Sequence, residues 1–134
     1  MSFQFPSDEW IKELMVRLNN SEAYQTAAAK WEGDFAFSAV TQDGVETVLY
    51  MDLWRGQCRS ARQLVTADEL KPAFTLSGTT AVWQEVLTGQ LDPIKGIMKR
   101  KLSLTGNKIK VLQNTKAAKA MVEAAQTIPT VWPQ

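Results

Sequence analysis

The 134-residue chain reads as an α+β domain, a five-stranded, mainly antiparallel sheet covered on one face by helices. Three observations predict this. Apolar and polar residues alternate, the period of a half-buried strand, at Phe74–Ser77 and around Leu102–Leu104, and Phe35–Val40, Thr47–Trp54 and Cys58–Leu64 read as three further strands. Apolar residues recur at helical spacing in the segments before, between and after those stretches. Glycine and proline then punctuate the joints, as Asp43-Gly44, Arg55-Gly56 and Asp92-Pro93.

Ser7 is placed to cap a first helix in which Trp10, Ile11, Leu14, Met15 and Leu18 form one stripe, ending at Asn19-Asn20. Ser21 caps a second, predicted to run through Tyr24 and the Ala27–Ala29 run to Trp31. Gly33 and Asp34 end the helical opening. Asp43-Gly44 makes a hairpin of the first two strands, because glycine tolerates positive φ. Arg55-Gly56-Gln57 turns the chain into a third strand, and a loop from Val65 to Lys71 leads to the strand at Phe74. These four strands are expected to pair antiparallel in sequence order.

Thr79 or Thr80 then caps a helix with Val82, Trp83, Val86 and Leu87 on one stripe, and Gly89 is placed to end it in the left-handed conformation. Asp92 and Pro93 start the next helix, since the carboxylate accepts orphan N–H groups and proline's fixed φ suits the first helical position. Ile94, Ile97 and Met98 give it an apolar side. Leu102 and Leu104 alternate with Lys101, Ser103 and Thr105 in the fifth strand, which Gly106 ends. Lys108–Leu112 is ambiguous in type. A last helix is predicted from about Lys116 to Thr127, with Pro129 closing the fold.

Length and composition set limits. At 134 residues, 45% apolar and 22% charged, the chain makes one domain, residues 1–134, with no repeat and no low-complexity linker. No run of about 18 apolar residues offers a membrane span. The start lacks a basic segment followed by an apolar one, and the end is not a Ser-Lys-Leu address, so a cytoplasmic protein is expected. The lone Cys58 cannot form an internal disulfide. Net charge is +1, yet residues 1–34 hold three Lys/Arg against six Asp/Glu, while residues 93–134 hold eight against one. That asymmetry reads either as solvated helix faces or as the mark of an anionic partner such as a bilayer surface.

Catalytic chemistry finds little support. The chain has no histidine, which removes Ser/His/Asp and Cys/His schemes outright. Cys58, though followed by Arg59, sits within a predicted strand and reads as a packing residue. Asp52 interrupts an apolar strand on the face of Tyr50 and Trp54, and is expected to pair with Arg59 or Arg62 on the outer sheet face. There is no phosphate-binding glycine loop and no metal-ligand cluster, and no cofactor is implied. Nor does one element carry the dense basic and aromatic stripe of a nucleic-acid binder. Trp83, Leu87, Ile97, Met98 and Met121 belong to three helices that must cover one modest sheet, and such a stripe alone is usually plain core.

The order and spacing of Phe74-Thr75-Leu76-Ser77-Gly78, Trp83, Gly89-Gln90-Leu91-Asp92-Pro93 and Lys101-Leu102-Ser103-Leu104-Thr105-Gly106 resemble the sterol carrier protein type-two family of lipid-binding domains. The resemblance extends more weakly from about Trp10 to Pro129. It departs at Met98-Lys99-Arg100, where members often have a glycine just before the last strand. It implies that sheet and helices enclose an apolar tunnel for a fatty acid, fatty acyl thioester, sterol or similar lipid, without covalent chemistry.

On that implication the strands contribute Phe74, Leu76, Leu102 and Leu104 to the tunnel, and the helices contribute Trp83, Leu87, Ile94, Ile97, Met98 and Met121. Lys95, Lys99, Arg100 and Lys101 beside it would dock the mouth on a transient anionic membrane surface. An acyl-thioester or lipid-metabolising enzyme using the same pocket, and a protein-interaction or dimerisation module, are the alternatives. Oligomeric state is left open.

Overall fold

The computed structural model describes residues 1–66 and 69–133; positions 67 and 68 of the Val65–Lys71 loop, and residue 134, lie outside the described residues. A short strand β1 (Phe3–Gln4) precedes helices α1 (Asp8–Asn19) and α2 (Glu22–Ala27). Strands β2 (Phe35–Val40), β3 (Glu46–Trp54), β4 (Gln57–Leu64) and β5 (Phe74–Thr79) follow, then helices α3 (Thr80–Leu87) and α4 (Pro93–Met98). The chain ends with β6 (Ser103–Thr105), α5 (Lys108–Leu112), α6 (Thr115–Gln126) and β7 (Thr130–Val131).

The expected caps form. The Ser7 and Ser21 hydroxyls each accept a backbone N–H three residues on, from Trp10 and Tyr24, both at 3.1 Å. Thr79, not Thr80, caps α3 by accepting from Val82 N–H at 3.1 Å, and Gly89 follows that helix at φ +83°. Asp92 Oδ1 accepts from Ile94 and Lys95 N–H at 2.8 and 3.2 Å, with Pro93 in the first turn. Lys108–Leu112 resolves as a helix because Asn107 caps it, accepting from Lys110 N–H at 3.1 Å.

Two expectations fail for tertiary reasons. Helix α2 stops at Ala27 instead of Trp31, because the end of β3 captures the backbone there: Arg55 N–H donates to Trp31 O at 2.6 Å and Glu32 bridges Trp54. The four strands do not pair antiparallel in sequence order either. The sheet runs β4-β3-β2-β5-β6, with β5 parallel to β2 and the other three pairs antiparallel.

Asp34 is the reason for the parallel pair. Its carboxylate accepts Ala73 N–H at 2.7 Å and its carbonyl accepts Phe74 N–H at 3.2 Å, so β5 starts beside the start of β2. The Phe35 and Phe74 rings then stack at 5.0 Å. Strand β4 is left as one edge of the sheet, with α1 packed against it.

Alternation sends Phe35, Phe37, Leu49, Met51, Leu76 and Leu104 to the inner face under the helices. The outer face carries Tyr50, Asp52, Arg62, Thr75 and Ser77, and is the more polar, as expected. It also holds a small apolar cluster of Ala36, Val48 and Leu64 against which Leu70 packs. An unforeseen parallel pair, β1 with β7, joins the two ends of the described chain, and Phe3 N–H donates to Pro129 O at 2.8 Å.

Candidate functional site

Between the inner sheet face and the helices lies a cavity. Its volume is about 110 Å³, against the roughly 10–15 Å³ that holds one water. Its floor is the sheet, through Phe35, Phe37, Leu49, Leu76 and Leu104; α1 adds Trp10, Ile11 and Leu14 to the wall.

The cavity exists because small residues stand where large ones would fill it. Helix α6 turns Ala117, Ala118 and Ala125 inward beside Met121, and β2 presents Ala39 after two phenylalanines. A helix with leucine at those positions would close the space, since interiors otherwise pack to crystal density.

The wall is apolar by construction. Three tryptophans on it spend their N–H groups elsewhere: Trp10 on Thr130 Oγ1 at 3.0 Å, Trp31 on Gly33 O at 2.9 Å and Trp83 on Ser38 O at 2.9 Å. Only their hydrocarbon surface is left to the cavity. Rings continue along one side, with centroids of Phe35 and Phe37 5.3 Å apart and of Phe37 and Trp83 5.8 Å apart. Lys110 stands behind this aromatic side: its ammonium donates to Glu32 O and lies 4.8 Å from the Trp31 ring centroid.

Of the residues expected to form the tunnel, Leu76, Trp83, Leu87, Ile94, Ile97, Leu104 and Met121 lie on the cavity wall. Phe74 and Leu102 are buried but stand outside it. Phe74 backs onto Trp31 at 5.1 Å. Leu102 fills a slot made by two glycines: a Cβ on Gly78 would come within 2.6 Å of it, and one on Gly96 within 3.1 Å.

Met98 is placed differently from the expectation, being 72% exposed. At about 100° per residue, Gly96, Pro93 and Ile97 centre the inward side of α4, with Ile94 on its flank. Met98 falls beyond Ile94, beside Lys95. The sequence expectation drew on α3, α4, α6, β5 and β6 and left out α1, α2, α5, β2 and β3, which also line the cavity; the alanines of α6 and Ala39 were the available signal.

The remaining polar candidates stand off the cavity wall. Asp52 pairs with Arg59, its two oxygens accepting from Nε and Nη2 at 3.0 and 3.1 Å, and Arg59 in turn covers Trp54 at 4.8 Å. Cys58 is buried away from the cavity, between Asn19 and Ser60, and burial pushes its thiol up to about 12. The Tyr50 phenol, raised by burial and by its bond to Asp34, donates to that carboxylate at 2.7 Å and so supports the anchor of β5. Lys95, Lys99, Arg100 and Lys101 are all exposed; Lys101 lies 3.9 Å from Glu85. No helix among the described residues is long and apolar enough to cross a membrane.

Residues 11–119 match the model of the SCP-2 sterol transfer family. A crystal structure of sterol carrier protein 2 superposes with a TM-score of 0.82 at 31% identity, over 91% of this chain and 97% of the other. The solution structure of a conserved hypothetical protein from Thermus thermophilus, described as possibly a sterol carrier protein, gives 0.80 at 31% identity, over 92% and 88%. The sterol carrier protein 2 of Aedes aegypti, solved in complex with the C16 fatty acid palmitate, shares the fold with a TM-score of 0.56 at 14% identity, over 81% and 93%. No curated protein sequence matches the chain significantly.

Proposed function

The chain belongs to the SCP-2 sterol transfer family, and from that premise we propose that its cavity takes the hydrophobic part of a lipid and carries it without covalent chemistry. The observation that supports this most is the wall itself: an apolar cavity whose three indole N–H groups are all turned to other partners. A methylene moved from water into such a space contributes about 0.8 kcal/mol, so a chain of roughly 12 carbons brings about 10 kcal/mol of gross driving force. Ordering the ligand and losing its translational freedom cost several kcal/mol, which leaves micromolar to nanomolar affinity. Cys58, the strongest nucleophile available, stands outside the cavity with a thiol that stays protonated at neutral pH.

The mouth, on this reading, lies between α4 and α6, which pack on each other and whose wall residues Ile94, Ile97, Met121 and Val122 are only half buried. Lys95, Met98 and Lys99 project from the other side of α4, where they would meet an anionic bilayer. Chain length tests the cavity. Saturation with a long-chain fatty acid at about 100 times Kd adds roughly 2.7 kcal/mol to stability if only the folded state binds. Thermal unfolding should therefore shift upward with long chains and little with short ones at equal concentration. Equal shifts for both would remove the proposal.

A further inference from the structure

Two wall residues carry a side-chain oxygen, Asn114 and Tyr24. Asn114 is half buried and spends its amide N–H on Lys110 O at 2.7 Å. Tyr24 is only 1% exposed. Every fully occluded side-chain nitrogen or oxygen among the described residues has a hydrogen-bond partner. The Tyr24 hydroxyl is bonded to none of the described residues, so it is not occluded, and Tyr24 lines the cavity.

The rest of the residue is fixed. Its N–H is held by Ser21 and its carbonyl by Ala28 N–H at 2.8 Å, and α2 packs on α6. A phenylalanine would fill the same volume without leaving a hydroxyl unpaired in an apolar cavity, a cost that a bound oxygen removes.

We propose that the Tyr24 hydroxyl is a polar subsite of the cavity, taking a neutral oxygen, a hydroxyl or an ester carbonyl, of an otherwise apolar lipid and disfavouring a carboxylate there. This rests on the lipid-binding reading above. Burial, with the Cys58 thiol nearby, raises the phenol, so it stays a neutral donor and acceptor. Among the described residues no lysine or arginine borders the cavity, and the Lys110 ammonium is committed to Glu32 O and the Trp31 ring. A carboxylate placed beside Tyr24 would be desolvated with no cation to answer it, whereas an alcohol exchanges one hydrogen bond to water for one to the phenol.

The test is displacement of 1,6-diphenylhexatriene, a probe without oxygen, by dodecan-1-ol and by dodecanoate at pH 8, in wild type and Tyr24→Phe. Diphenylhexatriene should bind both proteins within about twofold. Loss of one net hydrogen bond should weaken dodecan-1-ol by about two- to tenfold in the variant, while dodecanoate stays the weaker ligand and is unchanged. Dodecan-1-ol affinity untouched by Tyr24→Phe overturns the subsite alone. Wild type that binds neither diphenylhexatriene nor the alcohol overturns the lipid reading and the subsite with it. Should the variant fail to fold, wild type labelled at tyrosine Cζ with carbon-13 decides. Its Tyr24 resonance should move with dodecan-1-ol and hold with diphenylhexatriene; movement with both alike, or with neither, overturns the subsite.

Discussion

Burial holds the Cys58 thiol neutral up to about pH 12, whereas the unfolded chain releases that proton near 9.0. Below pH 9 the contribution to stability is fully present; between the two values the unfolded state binds fewer protons, so stability falls as pH rises. One proton corresponds to about 1.4 kcal/mol per pH unit at most. Cys58→Ala removes this slope while keeping a small side chain in the strand. Urea unfolding of both proteins at pH 8, 9.5 and 11 should show the wild-type advantage shrinking with pH, and a constant difference would show that the thiol titrates alike in both states. On the cavity wall the informative residue is Ala118, where leucine would project about three carbons into space now empty. Ala118→Leu should weaken long-chain ligands about tenfold or more, at about 0.8 kcal/mol per methylene displaced, without lowering the melting temperature. A folded variant with wild-type affinity would take Ala118 off the ligand path. Single residues of this kind are where the sequence was hardest to read. Alternation and helical spacing assign a side chain to the inner side, yet Phe74 and Leu76, equally inward on β5, differ in whether a cavity or Trp31 stands opposite.

Helix α4 is closed by Arg100 at φ +61°, after which Lys101 and Leu102 N–H both donate to Gly96 O at 2.9 and 3.1 Å. This is the stretch, just before the last strand, at which the sequence departs from its family resemblance. A left-handed conformation costs a non-glycine residue about 1–2 kcal/mol, and glycine's greater freedom when unfolded returns up to about 1 kcal/mol of that. Arg100→Gly should therefore stabilise by about 0.5–1 kcal/mol and raise Tm by about 2–4 °C. A lower Tm in calorimetry would mean that the arginine side chain contributes more than its backbone costs. The boundaries of such elements were legible because caps are local: a hydroxyl or carboxylate meets an N–H two or three residues away. Strand order was not, because β5 is anchored by Asp34, 39 residues before the Ala73 N–H it accepts. Nothing near Phe74 in the sequence announces that contact.

Whole-molecule properties divide in the same way. That sheet and helices share one apolar layer follows from patterning, but whether the layer is full depends on summed volumes across α1, α6 and β2, which no single stretch contains. The charge distribution, by contrast, is legible at once: eight basic residues against one acidic after Asp92. Lys95, Lys99 and Arg100 are exposed and form no ion pair among the described residues, and Met98 stands out beside Lys95 on the outward side of α4. If this surface brings the mouth to its lipid source, transfer to anionic vesicles should outpace transfer to neutral ones. Each lysine or arginine near an anionic surface contributes about 1 kcal/mol, over a Debye length of about 8 Å at physiological ionic strength. Salt should therefore erase the preference. Reversing Lys99, Arg100 and Lys101 to glutamate should weaken vesicle binding by about 100-fold or more, while affinity for a monomeric ligand in solution stays within about twofold because none of the three borders the cavity. Stopped-flow transfer from the loaded protein to vesicles with and without anionic lipid measures the first effect, and fluorescence titration the second. Should the reversed protein keep its preference for anionic vesicles, docking runs through another face, and these cations serve only to keep the outward side of α4 hydrated.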